Sequence, residues 1–225
     1  MTPPGFARAG SQRWLQVAVN RCAEQINGPI CDALGISRRP LAWRSPLEGA
    51  GFREYRDMGA LRQLGVGRLP VEPLSAFWPP RGPVWDGLAT ADPEYLILVE
   101  AKANIPEAAS PKSQASHGSL KMIRRSLRRV QRAIAPKCEY DWSGVFYQYA
   151  NRLAHLYLLR EINDLSAELV FVYFINAIDV GGPATGTEWS AVTTLTHAVL
   201  GLGQHPMLQH VHHVVVDVND LRNAV

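Results

Sequence analysis

Within residues 83–104, PVWDGLATADPEYLILVEAKAN, three side chains are of the kinds that do chemistry together: Asp86, Glu100 and Lys102. Two carboxylates and an ammonium share a stretch that is otherwise apolar through YLILV. Charged residues enter a sheet core only when something pairs with them. Side chains alternate along a strand, so Leu96, Leu98, Glu100 and Lys102 share one face, and Ile97, Val99 and Ala101 share the other. If 84–90 folds back on 95–103 around a turn at Asp92-Pro93, Asp86 lies opposite position 99, within one residue of Glu100. Two close carboxylates repel and shift each other's protonation. A divalent cation removes the conflict, and Mg²⁺ suits few protein oxygens plus water and phosphate. Such an ion acidifies a bound water, while a neighbouring lysine orients or activates that water and stabilises charge developing on a phosphoryl group. The plain alternative is a surface salt bridge between Glu100 and Lys102.

The elements that must position these groups are legible by periodicity. A helix is expected over 11–26, stopped by Asn27-Gly28-Pro29, with a short helical piece over 30–34 closed by Gly35. Residues 38–52 read as irregular and proline-marked, 52–64 as a third helix, and 70–83 as loop. Two hairpin strands follow, then a polar loop over 104–118. A strong helix covers 119–135, with Ile123, Leu127, Val130 and Ile134 at i, i+4, i+7 and i+11. A second strong helix lies within 142–163, followed by a buried strand at 169–177, a helix at 188–202 and a strand at 211–218. This order makes an α/β or α+β chain with a mixed sheet covered by helices. It is read as one domain, with a helical N-terminal region over about 11–66 and a C-terminal helix–strand extension over about 187–220.

Other candidates gather around the acids. Gln148, Arg152 and His155 recur along one face of their helix, with Asn151 beside them, and Arg152 could hold a phosphate bidentately. On the first helix Gln16, Asn20 and Glu24 are spaced by four, and Glu54 and Asp57 are weaker rivals for the role of a further acid. From Lys112 to Lys137 there are eight Lys or Arg and no acid, on a chain whose net charge is +3. Lys121, Arg124, Arg125 and Arg128 therefore read as a phosphate-facing surface. Docking of this basic helix on an acidic partner is the structural alternative. The three cysteines have no metal spacing or disulfide framework, and the C-terminal histidines, His205, His210, His212 and His213, read as edge or surface residues. No apolar run approaches the ~20 residues of a membrane helix, and the N-terminus lacks a signal-peptide core, so a cytoplasmic protein is expected.

The combination of Asp86 with Glu100-Ala101-Lys102 resembles the PD-(D/E)XK nuclease superfamily, whose acids are spaced and placed on a hairpin in this way. The resemblance implies a restriction-endonuclease-like fold: a mixed central β-sheet flanked by helices. It implies Mg²⁺ held by Asp86, Glu100 and the Ala101 carbonyl, with Mn²⁺ as a substitute. It also implies hydrolysis of DNA by a metal-bound water with Lys102 as catalytic lysine; RNA and the oligomeric state, a homodimer included, are left open. In the RecB-like branch a later helix carries a glutamine with a tyrosine four residues on. Gln148 matches the first, and Arg152 replaces the second. Val84-Trp85 stands where the superfamily often has a proline before the acid. The four-cysteine iron–sulfur cluster of some members is excluded by three scattered cysteines. The alternative within the same fold is a nucleic-acid-binding module without turnover.

Overall fold

The strand that carries Glu100 and Lys102 lies in the middle of a five-stranded mixed sheet. A computed structural model describes residues 5–37, 41–91 and 95–224 of the chain. In chain order the N-terminal half contains α1 (Gly10–Arg21), α2 (Ala23–Leu34), β1 (Ala42–Ser45), β2 (Tyr55–Arg56), α3 (Asp57–Gln63), α4 (Leu74–Phe77), β3 (Val84–Trp85), β4 (Gly87–Thr90) and β5 (Leu96–Lys102). There follow α5 (Ile105–Ala108), α6 (His117–Ile134), α7 (Tyr147–Tyr157), β6 (Ala167–Ile175), α8 (Gly186–Leu200) and β7 (Val211–Asp217). The main sheet runs β1-β4-β5-β6-β7, and β2 pairs with β3 apart from it. β1, β4 and β5 are antiparallel neighbours, whereas β6 and β7 add in parallel. The C-terminal strand β7 thus completes the sheet beside β6. Among the described residues no helix is long and apolar enough to cross a membrane.

The alternation read along β5 divides the core. Leu96 and Leu98 join Leu127, Val130, Leu153 and Phe171 on the α6–α7 side, while Ile97, Val99 and Ala101 join Leu15, Ile26, Ile30 and Val172 on the α1–α2 side. α6 forms as its period requires, with Ile123, Leu127, Val130 and Ile134 buried. Each such side chain contributes roughly 1.5–3 kcal/mol on leaving water.

Several expectations need correction. The first helix breaks at Cys22, not at Asn27-Gly28-Pro29, and α2 runs through Pro29 to Gly35, whose φ of 65° closes it. Burial of Ile26, Ile30 and Cys31 outweighs the amide hydrogen that Pro29 lacks. The proline-marked stretch contains β1, a strand fixed by its partner β4 (Ala42↔Thr90, Trp43↔Ala89) rather than by its own pattern. The helix expected over 52–64 is shortened to α3 because Tyr55 and Arg56 pair with Trp85 and Val84. His213 stands on the edge strand β7, as expected of an edge residue, with its ring stacked 5.5 Å from Phe171 and 5.7 Å from Tyr173; burial pulls its pKa down to about 3, with His197 and His212 adding to the fall. The expected turn at Asp92-Pro93 lies outside the described residues.

Candidate active site

β4 and β5 pair with Gly87 opposite Val99, the last pair of their ladder, so Asp86, the next residue outward, stands beside Glu100. The hairpin therefore aligns the two acids one residue closer than the turn estimate. A side chain at Gly87 would be crowded, because a Cβ would lie 3.1 Å from the Trp43 ring and 3.2 Å from Val99 Cβ, and those neighbours would have to give by a few tenths of an ångström. Immediately before it the chain forks: β3 leaves β5 and pairs with β2. Asp86 sits at the fork, where its Oδ2 accepts the Ala101 N–H at 2.8 Å. The carboxylate thus takes over a hydrogen bond that a continuing strand would have made. Its Oδ1 has no hydrogen bond among the described residues.

Glu100 and Lys102 project from the other strand toward α7. Lys102 Nζ donates to Glu100 Oε1 and, at 3.0 Å, to Gln148 Oε1. Gln148 is held in turn by the loop after β5, since its N–H donates to Ser110 Oγ at 2.9 Å and the Phe146 N–H to Ser110 O at 3.2 Å. Arg152, one helical turn on, reaches Glu100 Oε2 with Nε at 2.7 Å and Nη2 at 2.5 Å. Its Nη1 and Nη2 also donate to Asn151 Oδ1 and Val84 O, and its guanidinium lies 4.7 Å from the Trp85 ring centroid. Glu100 is 2% exposed and Arg152 4%, so this is a buried network and not the surface salt bridge weighed as the alternative.

The charges shift one another. Burial pushes the Asp86 carboxyl up to about 7, the Glu100 charge adds to the rise, and Lys102, the Ala101 N–H and Arg152 oppose it. Burial alone would raise Glu100 too, but Arg152 and Lys102 outweigh it and hold Glu100 below the usual carboxylate range. Burial would lower Lys102, yet Glu100 and Asp86 outweigh it and the amine is raised. Lys102 is therefore an ammonium at neutral pH, a donor and a charge rather than a base.

A testable consequence follows for Asp86. An acid whose pKa is raised in the fold adds stability below its unfolded pKa of about 3.9, and that stability is lost as pH rises toward 7. In EDTA, Asp86→Asn is expected to resist urea better than the parent at pH 8, with the difference closing as pH falls toward 4. Denaturation midpoints across this range measure it.

Asp86, Glu100, Ala101, Lys102, Gln148 and Arg152 line one cavity of about 590 Å³. The N-terminal candidates stay away from it. Gln16 accepts the Ala7 N–H, Asn20 caps the 46–48 segment, and Glu24 is exposed. Asp57 spends its carboxylate on the N–H groups of Arg81 and Gly82. Glu54 is the acid that feels the site: burial raises it first, its Gln12 hydrogen bond opposes, and the Glu100 charge adds to the rise. His155 lies 4.8 Å from Trp78 between ring centroids and is neutral, burial pulling it down to about 4. Lys121, Arg124, Arg125 and Arg128 lie along an exposed face of α6 outside this cavity.

Two residues of the cavity wall were not anticipated. Ser110 and Glu107 come from the stretch expected to be a polar loop over 104–118. Asn104 caps α5 by accepting the Glu107 N–H, and Glu107 returns to the Ala103 N–H and Asn104 Nδ2. The signal was present as Asn104-Ile105-Pro106-Glu107, a cap residue followed three positions on by glutamate.

A magnesium-sized cation needs hard oxygens and tolerates few from protein. Asp86 Oδ1 is free to serve, and Glu100 and Ala101 share its cavity wall. That donor set fits such an ion, provided that Glu100 relaxes one of its two ion pairs. Among the described residues no cluster of three or more His, Cys, Asp or Glu could hold a metal on its own, so water would complete the shell. No family model, no curated protein and no solved structure matches this chain.

Proposed function

We propose that this chain is a Mg²⁺-dependent nuclease of the PD-(D/E)XK type that hydrolyses DNA phosphodiester bonds. The observation that carries the reading is the meeting of Asp86, Glu100, Lys102 and Gln148 in one open cavity at the end of a buried strand. An antiparallel hairpin followed, across helices, by a parallel strand is also the arrangement expected of a restriction-endonuclease-like core.

Asp86, Glu100 and the Ala101 carbonyl would hold the ion, which when bound supplies a Lewis acid and an acidified water. Lys102 directs its ammonium at a phosphoryl oxygen as negative charge grows there. Gln148 is a positioning residue that fixes Lys102 Nζ. Arg152 neutralises Glu100, and since each of its three nitrogens already makes a hydrogen bond inside the protein, it acts on a phosphate chiefly through its charge. The exposed Lys121, Arg124, Arg125 and Arg128 supply phosphate contacts of the salt-dependent kind.

The test is cleavage of plasmid and oligonucleotide DNA, with an RNA oligonucleotide alongside, in Mg²⁺, Mn²⁺ or EDTA. Cleavage of DNA in either metal and none in EDTA is expected. No cleavage of either nucleic acid in any metal removes the reading. One observation favours the second reading, a DNA-binding module without turnover: Lys102 and Arg152 already balance Asp86 and Glu100, so the four charges need no ion. Salt-sensitive DNA binding without cleavage in any metal is the result that supports it.

A further inference from the structure

We infer that the start of α1 carries a second phosphate subsite, formed by Arg8, Arg13 and Arg222 over Trp14. The inference rests on the nuclease reading for the identity of its ligand, a DNA strand. These residues line a cavity of about 420 Å³, together with Ile178 and Asp179.

Its charge is left unspent. Arg13 donates to the backbone carbonyl of Ala7 and lies 5.4 Å from the Trp14 ring centroid. Arg222 donates to the carbonyl of Asn176. Carbonyls and a ring hold both guanidinia in place without neutralising them, and each keeps donors to spare, since a guanidinium has five. Arg8 has no acidic partner among the described residues. The acid in the cavity wall, Asp179, accepts the Gly10 N–H at 3.0 Å and Trp14 Nε1–H at 3.2 Å and makes no ion pair with the three arginines among the described residues, so three cations face one anion there. The basic face of α6 differs, because there Arg124 faces Asp141 and Arg129 pairs with Glu72.

The position is the second argument. Ser11 lines the main cavity, while Arg8, Arg13 and Trp14 line this one. Only the first turn of α1 separates them. At Gly10 a Cβ would stand 3.6 Å from Val180 and 3.8 Å from Glu107, itself a wall residue of the main cavity. A strand whose phosphodiester lies at Asp86 and Glu100 can continue past this turn of α1, and the next cavity it meets is cationic. Fixed guanidinia there select a phosphate backbone and read no base.

The experiment measures binding of a labelled DNA oligonucleotide in EDTA by fluorescence anisotropy over a salt series, so that turnover does not enter. Arg8→Glu/Arg222→Glu is compared with the parent and with Arg62→Glu, a charge reversal at an exposed position on α3. The subsite variant is expected to lose at least tenfold in affinity at low salt. Its slope of log affinity against log salt should be shallower by about 1.4–1.8, two phosphate contacts at 0.7–0.9 each. In Mg²⁺ it should raise KM and retain kcat. Arg8→Gln/Arg222→Gln repeats the loss without reversed charge, and thermal melts verify folding. Unchanged affinity and slope in both double variants, with the parent binding DNA, overturn the subsite and leave the nuclease reading standing. Equal losses in Arg62→Glu overturn it also, since the effect is then only net charge. If the parent binds no DNA, the subsite falls together with the nucleic-acid reading.

Discussion

Lys102→Met is expected to lower metal-dependent DNA cleavage about 10²–10³-fold, the usual loss when one donor to a developing oxyanion is removed. The protein should stay folded, because Glu100 retains Arg152, which reaches its Oε2 with two nitrogens. The cause of the loss is specific. Lys102 Nζ is anchored by Gln148 and Glu100, and the charges of Glu100 and Asp86 keep it protonated despite its burial. It therefore offers a fixed N–H and a full positive charge, and it takes no proton. Two further outcomes separate this role from a general base. Lys102→Arg should recover part of the rate, since charge and donors return at a slightly different place. The parent's pH–rate profile should show no limb belonging to Lys102 near neutrality, and kcat over pH 6–9 for the parent and both variants measures it. A profile whose alkaline rise disappears in Lys102→Met would assign the lysine to proton transfer instead.

The parts of this site that could be read from the sequence are those set by local periods. Alternation along 95–102 put Glu100 and Lys102 on one face, and α6 declared its buried stripe at i, i+4, i+7 and i+11. A two-residue turn estimate came within one position of the observed pairing, since a register error changes faces and is strongly opposed when both faces are buried. What stayed hidden depends on partners far along the chain. β1 is a strand because β4 lies beside it, across more than forty residues. Pro29 sits inside a helix because Ile26 and Ile30 have a sheet to pack on. Arg152 and Glu100 are 52 residues apart, and nothing in the spacing of either announces the pair. Two departures from the pattern that the sequence resembles, Trp85 where that superfamily often has a proline and Arg152 where its RecB-like branch has a tyrosine, looked unrelated in sequence. In the structure they touch, with the guanidinium 4.7 Å from the Trp85 ring centroid.

Arg152 also carries the buried ion pair with Glu100, and that pair sets what its loss costs. Arg152→Met is expected to destabilise the protein by about 3 kcal/mol, the low end of the cost of stranding one member of a buried ion pair. The low end applies because Lys102 remains with Glu100. Glu100→Gln should cost a similar amount, about 3 kcal/mol, by leaving Arg152 buried beneath Val84 and Trp85 without its anion. The double variant Glu100→Gln/Arg152→Met should cost less than the two losses added, by about 0.5–3 kcal/mol, because neither charge is then left unpaired. Urea denaturation of the four proteins in EDTA at pH 7 measures the cycle. Repeating it with Mg²⁺ connects stability to function. If the ion takes the place beside Glu100 that Arg152 fills, then Arg152→Met frees a carboxylate for it, and Mg²⁺ should stabilise that variant more than the parent, by mass action on the folded state. In Glu100→Gln the gain should disappear. An equal response of all four proteins to Mg²⁺ would mean that the ion does not meet Glu100, and the balanced charges of the cavity would then be its finished state rather than one that a cation completes.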